Sequence, residues 1–221
     1  MKNSIEVINL SKSYKTKKAV NNISFKIDEN EIVGLLGPNG CGKTTTIGMI
    51  LGLLKPTSGQ VLINGKNIEN NKISILHKMN FISPYIELPK KLTVKQNLIV
   101  YGKLYNIKNL NERINFLSEK LRLGDLLDKI TGELSSGQKN RVSLAKALIN
   151  DPAVLLLDEP TAALDPETAD FIRTFLEKLR EEKKISVLLA SHNMDEVKRL
   201  CNSVMMMKDG NIVAVSYTHL T

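Results

Sequence analysis

Cysteine is scarce in this chain. Cys41 and Cys201 are its only two, and their spacing fits neither a metal site nor a disulfide framework. The three histidines, His77, His192 and His219, are too scattered to suggest a metal cluster. No stretch approaches the about 20 consecutive apolar residues that span a bilayer. The N-terminal Met1-Lys2-Asn3-Ser4-Ile5-Glu6 lacks the apolar core of a secretory signal. A cytosolic protein in a reducing compartment is the expectation. Glycine and proline, 13 and 7 in 221 residues, are too few for collagen-like or low-complexity sequence. Internal repeats, coiled-coil heptads and linkers long enough to separate independent domains are also missing.

What is present is an ordinary globular composition, 42% hydrophobic and 24% charged, in a chain long enough to bury a core. Lys and Arg number 31 against 23 Asp and Glu, a net charge of +8. That excess permits attraction to nucleic acid, anionic lipid or nucleotide phosphate, and does not choose among them. The runs Lys15 to Lys18 and Lys90-Lys91 read as solvated surface.

Hydrophobic periodicity changes along the chain. Ile5, Val7 and Asn9 share one face, and Ile23, Phe25 and Ile27 alternate with polar residues, which predicts half-buried strands. Ile32 to Leu36 is a continuous apolar run leading into a Gly-rich segment and a helical stretch, the pattern of a buried strand feeding a helix. Val61 and Ile63 with Asn64-Gly65 predict a strand and tight turn, and Phe81-Ile82 ends another strand. From about 84 to 150 the pattern turns helical. Thr93 and Gln96 form a capping box ahead of Val94, Leu98, Tyr101 and Tyr105; Ile114, Leu117 and Leu121 mark a second helix, with a short one near Leu126. Apolar runs at Val154 to Leu157 and Ile185 to Ala190 then flank a helix from Pro166 to about Lys183. This alternation predicts an α/β sheet covered on both faces, with an antiparallel N-terminal β portion and an inserted helical subdomain.

Gly37-Pro38-Asn39-Gly40-Cys41-Gly42-Lys43-Thr44 has the spacing G-x-x-x-x-G-K-[ST]. Glycines let the backbone curl so that successive N–H groups point at phosphate oxygens, and the following helix adds its dipole. In that pattern Lys43 reaches the β- and γ-phosphates and the Thr44 hydroxyl ligates Mg²⁺. Cys41, inside the loop, is better explained by its size than by catalysis. Val154-Leu155-Leu156-Leu157-Asp158-Glu159 supplies a carboxylate at the C-terminal end of a buried strand. There Asp158 can hold the metal and Glu159 can orient or deprotonate a water.

Leu134-Ser135-Ser136-Gly137-Gln138 resembles the signature of ATP-binding cassette proteins. Tyr14, Gly37 to Thr45, Leu157-Asp158-Glu159-Pro160, Ala163-Leu164-Asp165 and Ser191-His192 follow that family's order across nearly the whole chain. The resemblance implies a P-loop NTPase of the cassette type. It implies that Tyr14 stacks on adenine, that Thr45 joins the phosphate loop, that Asp165 communicates across a dimer and that His192 contacts the γ-phosphate. It also implies a head-to-tail pair in which Ser135, Gly137 and Gln138 of one subunit close on nucleotide held by the other. Ser135 and Gly137 stand before an apolar-faced helix carrying Val142, Ala145, Leu148 and Ile149, a positive helix end suited to an anion.

Two stretches depart from the family. Ser136 replaces the glycine usual at the signature's third position, for which a mild effect is expected. Ser83 replaces the glutamine usual after the strand at Phe81, in the run Ser83-Pro84-Tyr85. Its hydroxyl is the expected but shorter metal-linked group there, so weak metal coupling or slow hydrolysis follows. The ending Ser216 to Thr221 reads as a non-native or truncated tail after a single cassette domain over 1–215.

The combined expectation is a cytosolic ATPase subunit at the inner face of the membrane. It uses ATP and Mg²⁺, pairs with a second cassette subunit and powers transport, with export favoured, through a separate integral membrane subunit. Two readings compete: a dimer clamp that hydrolyses slowly or not at all, and a cassette acting on nucleic acid or ribosomes. No direct nucleic-acid partner is expected, since such proteins join two cassettes or add long coiled coils.

Overall fold

The alternating segments at the N-terminus form two long strands, β1 (Asn3–Tyr14) and β2 (Lys17–Asp28), in a computed structural model that describes residues 3–84, 87–182 and 185–217. They pair antiparallel, and β4 (Ser58–Ile63) and β5 (Lys66–Asn67) complete a four-stranded sheet in the order β2-β1-β4-β5. The inward face is Ile5, Val7 and Leu10, not Asn9. A register shift between Val7 and Leu10, with Asn9 at φ 48°, turns the asparagine outward to Ser24, whose Oγ accepts its N–H at 2.8 Å. A bulge inserts one residue and so reverses which side chain faces the core. Asn64 and Gly65, both at positive φ, make the predicted tight turn.

The second sheet has six strands in the order β10-β9-β3-β8-β7-β6. Here β3 is Ile32–Leu36, β6 Met79–Ile82, β7 Val154–Asp158, β8 Ser186–Ser191, β9 Ser203–Lys208 and β10 Asn211–Tyr217. All neighbours pair parallel except β10, which runs antiparallel to β9. Every residue of β3, β7 and β8 is buried. Their apolar runs divide between two cores: Leu155 and Leu157 face the helices on one side, Val154 and Leu156 face the antiparallel sheet on the other.

Seven α-helices are present among the described residues: α1 (Lys43–Ile50), α2 (Lys72–Leu76), α3 (Val94–Leu104), α4 (Leu110–Lys120), α5 (Ser136–Leu148), α6 (Pro166–Glu182) and α7 (Met194–Leu200). The Thr93/Gln96 capping box starts α3, and 3₁₀ turns lie at Gly124–Leu126 and Thr131–Glu133. Val94, Leu98, Ile114 and Leu117 of the helical insert share one apolar cluster with Leu155, Leu157 and Ile172, so the insert packs onto the sheet's own core.

Two elements carry no clear signal in the pattern. α2 buries only Ile75, and β9 is built on methionine, with Met205 and Met207 inward and Met206 exposed. The ladder also runs past the expected boundary at 215: Ser216 pairs with Val204 and Tyr217 with Ser203. Tyr85, Lys183 and the rest of the expected tail, Thr218 to Thr221, lie outside the described residues.

Candidate functional site

Strand order assembles the site. β3, β8 and β7 are consecutive neighbours, with Leu36 beside Ser191 and Asp158 beside Ala190. Their C-terminal ends carry the 37–44 loop, Ser191-His192 and Asp158-Glu159, so three sequence-distant motifs meet on one edge of a parallel sheet, where such sheets bind ligands. A cleft of about 450 Å³ opens there, lined by Tyr14, Lys17, Ala19, Asn39, Gly40, Gly42, Lys43, Thr44, Thr45, Asp158 and Glu159.

The loop leads into α1 without a side-chain cap and without an acid in the first turn, which leaves the helix's first N–H groups and positive end to an anion. Gly42, the N-cap, has φ 115°, and a Cβ there would stand 2.5 Å from the Ala19 carbonyl oxygen. Only glycine fits such a position. The Lys43 ammonium, 6% exposed, donates to the Gly37 carbonyl at 2.5 Å and the Pro38 carbonyl at 3.3 Å, and lies 3.6 Å from Glu159 Oε1. Gly37, Pro38 and Cys41 form the back of the loop; the Cys41 side chain is buried in the apolar cluster with Val33, Leu35 and Met207, which agrees with a size role.

Thr44 Oγ1 donates to Asp158 Oδ2 at 2.9 Å, while Asp158 Oδ1 is buried with no hydrogen-bond partner. Burial pushes this carboxyl above the usual range; the Thr44 hydrogen bond opposes that, Glu159 adds to it and Lys43 opposes it. A hydroxyl, an unpartnered carboxylate oxygen and two adjacent carboxylates fit a hard divalent cation such as Mg²⁺. Among the described residues no three His, Cys, Asp or Glu converge to hold a metal by themselves. This suits an ion that completes its shell with water and substrate phosphate.

Glu159 follows Asp158 at φ 51°, a left-handed conformation uncommon outside glycine, and its N–H donates to the Ala190 carbonyl at 2.8 Å. The turn aims its carboxylate between two cavities. Oε1 faces Lys43 in the cleft, and Oε2 accepts from His192 Nδ1 at 2.8 Å on the other side. His192 therefore stands behind Glu159, outside the lining of the phosphate cleft.

Of the remaining predicted residues only Tyr14 lines the cleft. Tyr14 reaches its rim, 48% exposed, with Lys12 Nζ 5.2 Å from the ring centroid. Ser135 is the N-cap of α5, paired with Gln138 in a capping box; Gly137 lies inside the first turn and packs under Thr168, so it does not precede the helix. Asp165 caps α6 through the Thr168 N–H at 2.9 Å, a bond that holds its carboxyl below the usual range. Ser83 lines the neighbouring cavities with Ser136, Ser143 and Lys146, not the cleft proposed to hold the metal. It leaves the edge strand β6, on the far side of β7 from β3, and its side chain is short for that separation. Lys17 and Ala19 line the cleft although sequence reasoning missed them; Lys17 belongs to the basic run read as solvated surface.

A glycine-curled loop feeding a helix, a buried lysine, and an Asp-Glu pair at the end of a buried parallel strand define a P-loop nucleoside triphosphatase. Residues 20–162 match the ABC transporter family. The chain is 40% identical over 205 residues to the methionine import ATP-binding protein MetN of Latilactobacillus sakei, covering 90% of this chain and 59% of that protein. It is 35% identical over 217 residues to Nod factor export ATP-binding protein I of Burkholderia lata, covering 97% and 71%. An ATP-binding cassette solved as a dimer in a post-hydrolysis state with ADP and Pi superposes with a TM-score of 0.89 at 27% identity, covering 98% of this chain and all of that one. The chain belongs to the ABC transporter family, as an ATP-binding subunit with the ATPase fold.

Proposed function

We propose that this chain is a cytoplasmic ATPase subunit that docks on a separate integral membrane subunit and pairs with a second cassette to drive transport. The observation that supports it most is the placement of Glu159 between Lys43 and His192 at the end of β7. In this reading Tyr14 stacks on the adenine, the N–H groups of 40–45 and Lys43 hold the phosphates, and Thr44 and Asp158 hold Mg²⁺. The ion would supply charge neutralisation for the phosphates. Glu159 takes the proton of the attacking water, and His192, behind it, holds the carboxylate in place.

Ser135 accepts the Gln138 N–H at 3.3 Å and keeps its own O–H to donate to nucleotide on the facing subunit. Gly137 lets α5 sit close to α6, and Asp165 fixes the start of α6 beside that interface. The proposed cargo direction is export, on the resemblance of the sequence runs Ser83-Pro84-Tyr85 and Ser191-His192-Asn193-Met194 to export-type cassettes. In the test, Lys43→Ala loses ATP binding. Glu159→Gln keeps it while phosphate release falls by about 10²- to 10⁴-fold, the usual weight of a positioned base. Normal hydrolysis by Glu159→Gln would overturn the base assignment, and a membrane subunit should co-purify with the intact chain.

One observation favours a slower second reading. Ser83 stands where the family usually has a glutamine and lines a cavity beside the cleft instead of the cleft itself. A clamp that binds ATP and dimerises but releases phosphate slowly would follow.

A further inference from the structure

Behind Glu159 a second set of side chains holds the same two strand ends, and the steps above do not use it. Glu196 is 1% exposed, in the first turn of α7. Asn193 caps that helix, its side chain accepting the N–H groups of Asp195 at 2.9 Å and Glu196 at 3.2 Å. With its backbone so fixed, the Glu196 carboxylate divides between two hydroxyls. Thr161 Oγ1 donates to Oε1 at 2.7 Å and Ser191 Oγ donates to Oε2 at 2.7 Å. Ser191 also accepts the Asn193 N–H at 3.0 Å, and both hydroxyl residues are buried.

The two donors flank the reacting pair. Thr161 lies on the loop that leaves β7 through Glu159, and Ser191 is the last residue of β8, immediately before His192. Glu159 sits in a left-handed conformation that its surroundings must hold, and the sheet supplies only its N–H bond to Ala190. A carboxylate suits the other side because it offers acceptors only, one for each hydroxyl, and bonds to an ionised group are short and strong. An apolar residue would leave two buried hydroxyls without their partner.

From this geometry we infer that Glu196 is a positioning residue for hydrolysis. By tying the exit of β7 to the exit of β8, it sets the separation of Glu159 and His192. The inference rests on Glu159 being the base. Its effect falls on the chemical step and not on nucleotide binding, because Glu196, Thr161 and Ser191 lie outside the lining of the nucleotide cleft.

The test uses the full chain, with phosphate release for turnover, a fluorescent ATP analogue for affinity and thermal melting for folding. Glu196→Ala and the near-isosteric Thr161→Val should each lower kcat by about 10- to 100-fold, the scale of a misplaced reacting group, with KM and nucleotide affinity changed by less than about threefold. Glu196→Gln should recover part of the rate, since its amide oxygen still accepts one hydroxyl while its NH₂ can meet the other only as a donor. In a Glu159→Gln background Glu196→Ala should cost nothing further, as expected of residues acting as one unit.

Wild-type kcat in a folded Thr161→Val, equal losses in rate and affinity, or losses that multiply with Glu159→Gln would each overturn it. Should Glu196→Ala fail to fold, Thr161→Val decides. A fully active Glu159→Gln would remove the base assignment and the inference with it. A full-rate Thr161→Val beside an inactive Glu159→Gln would remove the inference alone.

Discussion

Asp158 and Glu159 are adjacent in the chain yet meet different chemistry, because a positive φ at Glu159 turns the backbone between them. Asp158 stays in the strand and meets the Thr44 hydroxyl, while Glu159 swings between Lys43 and His192. The order of the two acids is legible in the sequence; the turn is not, since nothing in an Asp-Glu-Pro run announces a left-handed residue. Ser83 makes the converse point. Its motif position suggests a metal-linked group, yet its place after β6 puts it in a neighbouring cavity. Lengthening it tests that reading. Ser83→Gln should raise turnover by about tenfold and sharpen its Mg²⁺ dependence, as an added positioned group would. Unchanged turnover and Mg²⁺ titration would show that the shorter side chain does not limit hydrolysis.

At the scale of elements, β7 links catalysis to stability. Its five residues form an unbroken buried run, and alternate side chains serve opposite cores. Leu155→Ala and Leu156→Ala should therefore destabilise the protein to a similar degree, about 2–5 kcal/mol each, as truncated core leucines do. Urea unfolding measures this, and a cost confined to one of the two would show that one face of the sheet is poorly packed. Helix α5 is tied to the same strand's exit, where Asn140 Nδ2 donates to the Pro160 carbonyl at 2.7 Å. Helix α3, by its capping box, and α5, by its apolar face, are legible from the chain. The five-residue α2 is not, because so short an element has no periodicity to show.

For the whole molecule, the cleft is lined by β1, the start of β2, the phosphate loop and the end of β7, and by nothing from α5. The exposed cap of α5 at Ser135 is therefore available to another copy or a related cassette, in keeping with the family's pairing. Ser135→Arg should leave nucleotide affinity of the single chain within about threefold, since it removes no contact to the bound phosphates. It should abolish ATP-dependent dimerisation of Glu159→Gln in light scattering. A variant that still dimerises would place the interface elsewhere.

Local chemistry is what a sequence writes directly. The glycine spacing of the phosphate loop, the apolar runs, the capping boxes and the acids after Leu157 each depend on residues close together in the chain, so they are readable without a fold. Strand order is different in kind. The choice of β8 to lie between β3 and β7 comes from which buried runs pack best in three dimensions, and that choice alone brings His192 to Glu159 and keeps Ser83 on the far side of β7. The Thr161–Glu196 half of the buried link has the same origin: Ser191 and Glu196 are close in the chain, but Thr161 reaches them only after β7 and β8 have paired.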